Sequence, residues 1–149
     1  MTLRAPATSR AGKKHPFIHD MKGMLELADA IGTGNVGLLL DCWHWYCSRG
    51  TPDDILALRP EQVVHVHVND APAGVQIDRQ LDHRRAMPAE TGVIDVAAFL
   101  GALETIGYDG PVMAEPFSEK VRSLPPDQAV RLTAEALGKA FAAAGLAPA

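Results

Sequence analysis

Cysteine is scarce in this chain: two residues, Cys42 and Cys47, stand among 149. Two close cysteines in an aromatic stretch do not make a disulfide framework, so a reducing, cytoplasmic setting is expected. Cys42 reads as a small buried hydrophobe rather than a reactive thiol. Long apolar runs are missing too. None approaches the ~20 residues a membrane span needs, and the basic residues near the start are followed by no apolar stretch of the kind a secretory signal carries. Excess positive charge is also absent. The formal net charge is −4, which gives no general attraction to nucleic acid or to an anionic membrane. Only Arg10, Lys13 and Lys14 form a small basic cluster, read as a solvated turn.

What remains is ordinary for a globular protein: 47% hydrophobic and 21% charged residues, enough chain for one domain with a sizeable core. Residues 1–19 show no period and read as an irregular segment. From Asp20 onward the chain alternates. Asp20 caps a helix to about Ile31, and a strand follows over 36–41. Thr51 and Pro52 open a short helix, and a second strand spans 63–68. Asp95 opens a helix with Val96, Phe99, Leu100, Leu103 and Ile106 on one stripe, and a third strand spans 111–115. A last helix begins at Pro125-Pro126-Asp127, with Val130, Ala134, Leu137 and Phe141 facing inward. Such alternation predicts parallel strands with right-handed crossovers. Three or four βα units make about half of an eight-fold barrel, which needs ~250 residues. The expected fold is therefore a partial (βα)8 barrel over residues 20–149.

Each apolar strand ends in a residue that can hold a metal. The first runs into Asp41, with His44 one turn later. The second carries His65 and His67 on one face. The third runs into Glu115. In a parallel α/β sheet chemistry gathers at the carboxyl ends of strands, and Asp, His and Glu converging there suit Mg, Mn, Co or Zn. His65, one layer deeper, is expected to be a hydrogen-bonded core residue, which leaves His67 for the ion. Trp43 and Trp45 flank His44 and either wall a pocket or pack the barrel mouth. Residues 70–92, rich in Pro, Gly and charge, form a loop long enough to be functional. Its Arg84 and Arg85 offer a grip for hydroxyl, carboxylate or phosphate.

The strings GLLLDCWHW, VVHVHVNDAPAG, MPAETGVID and IGYDGPVMAEPF resemble the xylose isomerase-like TIM-barrel superfamily, and within it the sugar phosphate isomerase/epimerase branch with its ketose 3-epimerases and inosose dehydratases. The resemblance covers about residues 10–120. It implies one divalent cation held by Glu, Asp, His and Glu, the last three matching Asp41, His67 and Glu115. It implies that His44 and Arg85 face substrate, beside which Trp43 is a candidate pocket wall, and that Glu115 and His44 take part in enediolate proton transfer on a small sugar, sugar phosphate or sugar acid. The loop Pro88-Ala89-Glu90-Thr91-Gly92 departs from the P-G-E-G-like form of that branch. The strand bearing the family's first Glu lies upstream of the matching segment. The chain is thus expected to correspond to the C-terminal half of such an enzyme, with impaired activity, and to pair with a second copy or a complementing half-barrel. A non-catalytic half-barrel subunit and an endonuclease-like hydrolase are the alternative readings.

Overall fold

The computed structural model describes residues 2–4 and 18–147. The basic cluster at 10–14 and His15 lie outside the described residues. Four parallel strands form one sheet in the order β1 (Thr2–Arg4), β2 (Gly37–Asp41), β3 (Val63–Val68), β4 (Val112–Ala114). Each strand pairs with the next in sequence, which is the topology of consecutive barrel strands. The expectation that residues 1–19 are wholly irregular is corrected: Thr2–Arg4 pair with Gly37–Leu39. A three-residue strand is too short to show an alternation in the sequence.

Helices fill the connections. α1 (Met21–Ile31) is capped by Asp20, whose side chain accepts from Gly23 N, and ends at Gly32 with φ of 68°. This is the left-handed close that glycine permits. α2 (Cys42–Cys47) follows β2 without a break, so the aromatic segment is itself helical. α3 (Pro52–Leu56) starts where expected, with the Asp54 carboxylate accepting from Thr51 N at 2.7 Å. α4 (Val96–Thr105) is capped by Asp95 and buries Val96, Phe99, Leu100 and Leu103. A short α5 (Glu119–Arg122) precedes the long α6 (Pro126–Ala143).

α6 turns differently from the expected stripe. Val130 is 70% exposed and Ala134 is exposed, while Ala136 and Ala140 are buried. An alanine-rich helix carries two stripes of helical spacing. The stripe through Ala129, Leu132 and Ala136 packs with Met87 and Val121, while Leu137, as expected, and Ala140 pack on the main core.

The two sheet faces differ sharply. Leu38 and Leu40 of β2 and Val66 and Val68 of β3 are buried in one core with Ile55, Trp45, Phe99, Leu100 and Leu103. On the other face Leu39 and His65 are half-buried and Met113 is 47% exposed. The β2–β3 register shifts between Leu38 and Leu39, whose partners are Val63 and His65. The extra residue, Val64, is exposed. This bulge keeps Val63 in the core yet sets His65 and His67 opposite Leu39 and Asp41 on the open face. His65 is therefore not a core residue. It stands edge-on to His67, 4.9 Å between ring centres, and burial with the neighbouring His67 lowers its pKa below 6.5.

Candidate metal centre

The register that pairs Asp41 with His67 places both at the carboxyl edge of the sheet. Glu115 follows β4 directly at the same edge. Their ligating atoms all lie within 4.8 Å of one another, and no other group of three His, Cys, Asp or Glu side chains does so among the described residues. His67 Nδ1 is buried and makes no hydrogen bond. It sits 3.6 Å from Asp41 Oδ2 and 3.4 Å from Glu115 Oε2. An imidazole nitrogen kept from water, with two carboxylate oxygens in front of it, is the donor set a divalent ion takes. These residues fit a metal.

Asp41 divides its two oxygens. Oδ1 accepts from Trp43 N at 2.9 Å and His44 N at 3.1 Å and so caps α2. Oδ2 faces the cluster. Burial alone would push this carboxyl up, but the His67 ring and the charges of Arg85 and His44 outweigh it and hold the pKa well below 3.8. A depressed carboxyl stabilises the fold fully above its unfolded value of about 3.9 and loses that contribution as pH falls through the folded one. Urea unfolding between pH 3 and 7 is expected to show stability dropping below about pH 4, with a shallower drop in Asp41→Asn.

Arg85, not its neighbour, enters the site. Arg84 is exposed and pairs with Glu119 at 3.7 Å. The Arg85 side chain is fully buried, with its guanidinium carbon 4.7 Å from the Trp43 ring centre and 5.0 Å from that of Phe117. Nη1 donates to Asp41 Oδ2 at 2.8 Å and to Glu115 Oε2 at 3.1 Å. Nη2 meets His44 Nε2 at 3.2 Å and bonds the Asp82 carboxylate. Nε donates to Asp82 O at 3.1 Å. These contacts use all five guanidinium N–H groups. Since an arginine can only donate, His44 Nε2 is the acceptor in this contact, which takes the tautomer with the ring proton on Nδ1. Trp43 is 1% exposed. It reaches the site only as a floor beneath Arg85.

The loop that carries Arg85 is fastened by a residue that sequence reasoning passed over. Asp70 is 0% exposed. Its Oδ1 accepts from Ala71 N and Ile94 N, and its Oδ2 from Thr91 N and Gly92 N, all at 2.8–2.9 Å. Its backbone pairs with Ala86 in both directions, at 3.1 and 3.0 Å. Asp82, Asn69 and Phe117 were likewise not singled out. The one available signal was an Asp directly after a buried strand, in Asn69-Asp70-Ala71-Pro72.

With the geometry in place, the comparisons identify the class. The family model described as the xylose isomerase-like TIM barrel matches residues 10–140, and the chain belongs to that family. A 3-dehydroshikimate dehydratase of Pseudomonas aeruginosa is 34% identical over 92 residues, 61% of this chain and 14% of that protein. An inosose isomerase of Halalkalibacterium halodurans is 28% identical over 123 residues, 78% of this chain and 42% of that protein. The chain thus spans less than half the length of these relatives. Among solved structures, a xylose isomerase domain protein from Alicyclobacillus acidocaldarius superposes with a TM-score of 0.81 at 34% identity, covering 97% of this chain and 51% of that one. The IolI protein, solved with a bound zinc atom, gives 0.75 at 23% identity over 83% of this chain and 44% of its own, a likeness of fold. The partial TIM barrel expected from the sequence is the fold found. Among the described residues no helix is long and apolar enough to cross a membrane.

Proposed function

We propose that Asp41, His67 and Glu115 hold one divalent cation and that the site belongs to an isomerase or epimerase acting in the cytoplasm on a small sugar, sugar phosphate or sugar acid. The observation that carries this reading is the buried, unbonded His67 Nδ1 facing two carboxylates. Similarity to an inosose isomerase and, in fold, to a zinc-bearing protein supports it. Bound there, the cation would polarise a substrate carbonyl as a Lewis acid. The chain's own groups do the rest. Glu115, whose side chain is 22% exposed where Asp41's is fully buried, is the carboxylate placed to take a proton from the carbon beside that carbonyl. His44 and Arg85 orient substrate oxygens. Asp41 stays a ligand, because one of its oxygens is committed to the α2 cap.

The open sheet face bearing Met113 is, on this reading, the face that further barrel strands cover. Such strands would bring the second carboxylate that returns the proton. A second reading keeps the same first step and adds loss of a neighbouring hydroxyl; the dehydratase relative favours it. The test is deuterium wash-in from D2O, followed by NMR, on inososes and small ketoses with Zn, Mn, Co or Mg. Metal-dependent exchange is the expected result. Water loss without exchange selects the dehydratase reading. Metal binding with no turnover selects the non-catalytic half-barrel.

A further inference from the structure

The chain itself supplies a cation to this site. Arg85 Nη1 contacts two oxygens, Asp41 Oδ2 and Glu115 Oε2. They are the same two oxygens that face His67 Nδ1. A metal coordinated by His67 and either oxygen must therefore share that oxygen with a full positive charge or displace it. Like charges forced together in a buried setting repel far more than in water. The guanidinium also has somewhere to go. Its other edge is bonded to Asp82, whose side chain is 55% exposed and sits in the same loop. Its guanidinium carbon also lies within 5.0 Å of the Trp43 and Phe117 ring centres, so Asp82 and aromatic surface can keep it when a carboxylate is withdrawn.

We propose that Arg85 is a resident cation that a divalent metal displaces, so that metal binding is what frees Arg85 and His44 to meet substrate. The five N–H groups of Arg85 are spent on the protein, and one of them meets His44 Nε2. Neither residue then has a group to offer a substrate oxygen. Once the metal takes Asp41 and Glu115, Nη1 and His44 Nε2 are released together. Metal adds first and substrate second. The inference rests on the metal reading of the cluster and assigns Arg85 a positioning role in addition to substrate contact.

The experiment is Zn2+ alone, titrated into the full chain by calorimetry and by tryptophan emission, for wild type, Arg85→Met and Arg85→Lys. Removing the competing charge is expected to tighten one-to-one Zn2+ binding by about tenfold or more in Arg85→Met. In wild type, withdrawal of the guanidinium from Trp43 should change the emission with the same midpoint as the heat. Arg85→Lys, which keeps the charge but cannot bridge both carboxylates, should fall between. Equal or weaker binding in Arg85→Met would overturn the inference and leave the metal centre standing. Flat emission at wild-type saturation would overturn it too, and this arm needs no variant to fold. No Zn2+ binding by any form would overturn the metal reading and this inference with it.

Discussion

Asp70→Ala is expected to lower the melting temperature by roughly 6–12 °C. Four backbone N–H groups lose their acceptor at once: Ala71, Thr91, Gly92 and Ile94. Two of these bonds are made where no water replaces them. Leaving a buried donor unpaired costs about 1–3 kcal/mol, and some groups will recover solvent as the loop loosens. A net loss of about 3 kcal/mol is the conservative figure, and each kcal/mol shifts the midpoint by about 2–4 °C at this chain length. Asp70→Asn is the sharper variant. All four partners are donors, so an amide can satisfy only the pair that meets its oxygen, while its NH2 group confronts two N–H groups. It should recover at most half of the loss in a thermal melt. A full recovery would mean that the carboxylate is not what holds residues 91–94.

His67→Leu is expected to do the opposite: little to stability and much to metal. Loss of an outer-sphere partner costs a metal site 10–100-fold, so loss of one of three ligands should cost more than about 100-fold in Zn2+ affinity. Without metal the protein should lose less stability than Asp70→Ala does, because the ring's contacts with Asp41 and Glu115 are long, at 3.6 and 3.4 Å, and Arg85 still holds both carboxylates. Asp41 keeps Arg85 at 2.8 Å either way. Calorimetric titration beside urea unfolding checks both halves. A variant that unfolded while its metal affinity held would show His67 to be a packing residue.

These two aspartate and histidine positions also show what the sequence does and does not reveal. Asp41, His67 and Glu115 could be read because each closes a short apolar run, and parallel strands that start together end together. His44 followed from its place one turn beyond Asp41. Arg85 was found only as one of a pair with Arg84; nothing in a charged loop says which side chain turns inward, and the choice was made by acceptors at the end of β2, just after β4 and in α2 meeting in one place. Asp70 was missed for a similar reason. Its four partners lie 1 to 24 residues away, and a carboxylate inside a Pro- and Gly-rich stretch looks solvated until the loop folds back over it. The face of α6 was misjudged because small side chains give little amphipathic contrast. Alternation put His65 on the face of His67, but the Val64 bulge that keeps Val63 in the core beside Leu38 is a register change that no pattern of residue types records.

The Asp70–Ala86 pairing has one more consequence, for how such a protein can diversify. Two backbone bonds clamp the neck of the loop, and the Asp70 carboxylate ties residues 91–94 independently of whatever lies between. The stretch from Pro72 to Leu81 makes none of these bonds, and its tip is exposed at Val75 and Leu81. Doubling a flexible loop adds only about 0.6 kcal/mol of closure entropy. Those ten residues therefore behave as an exchangeable cassette. Selection or a library can rewrite them, in length as well as composition, while the Asp41–His67–Glu115 cluster and the Asp70 clamp stay as they are.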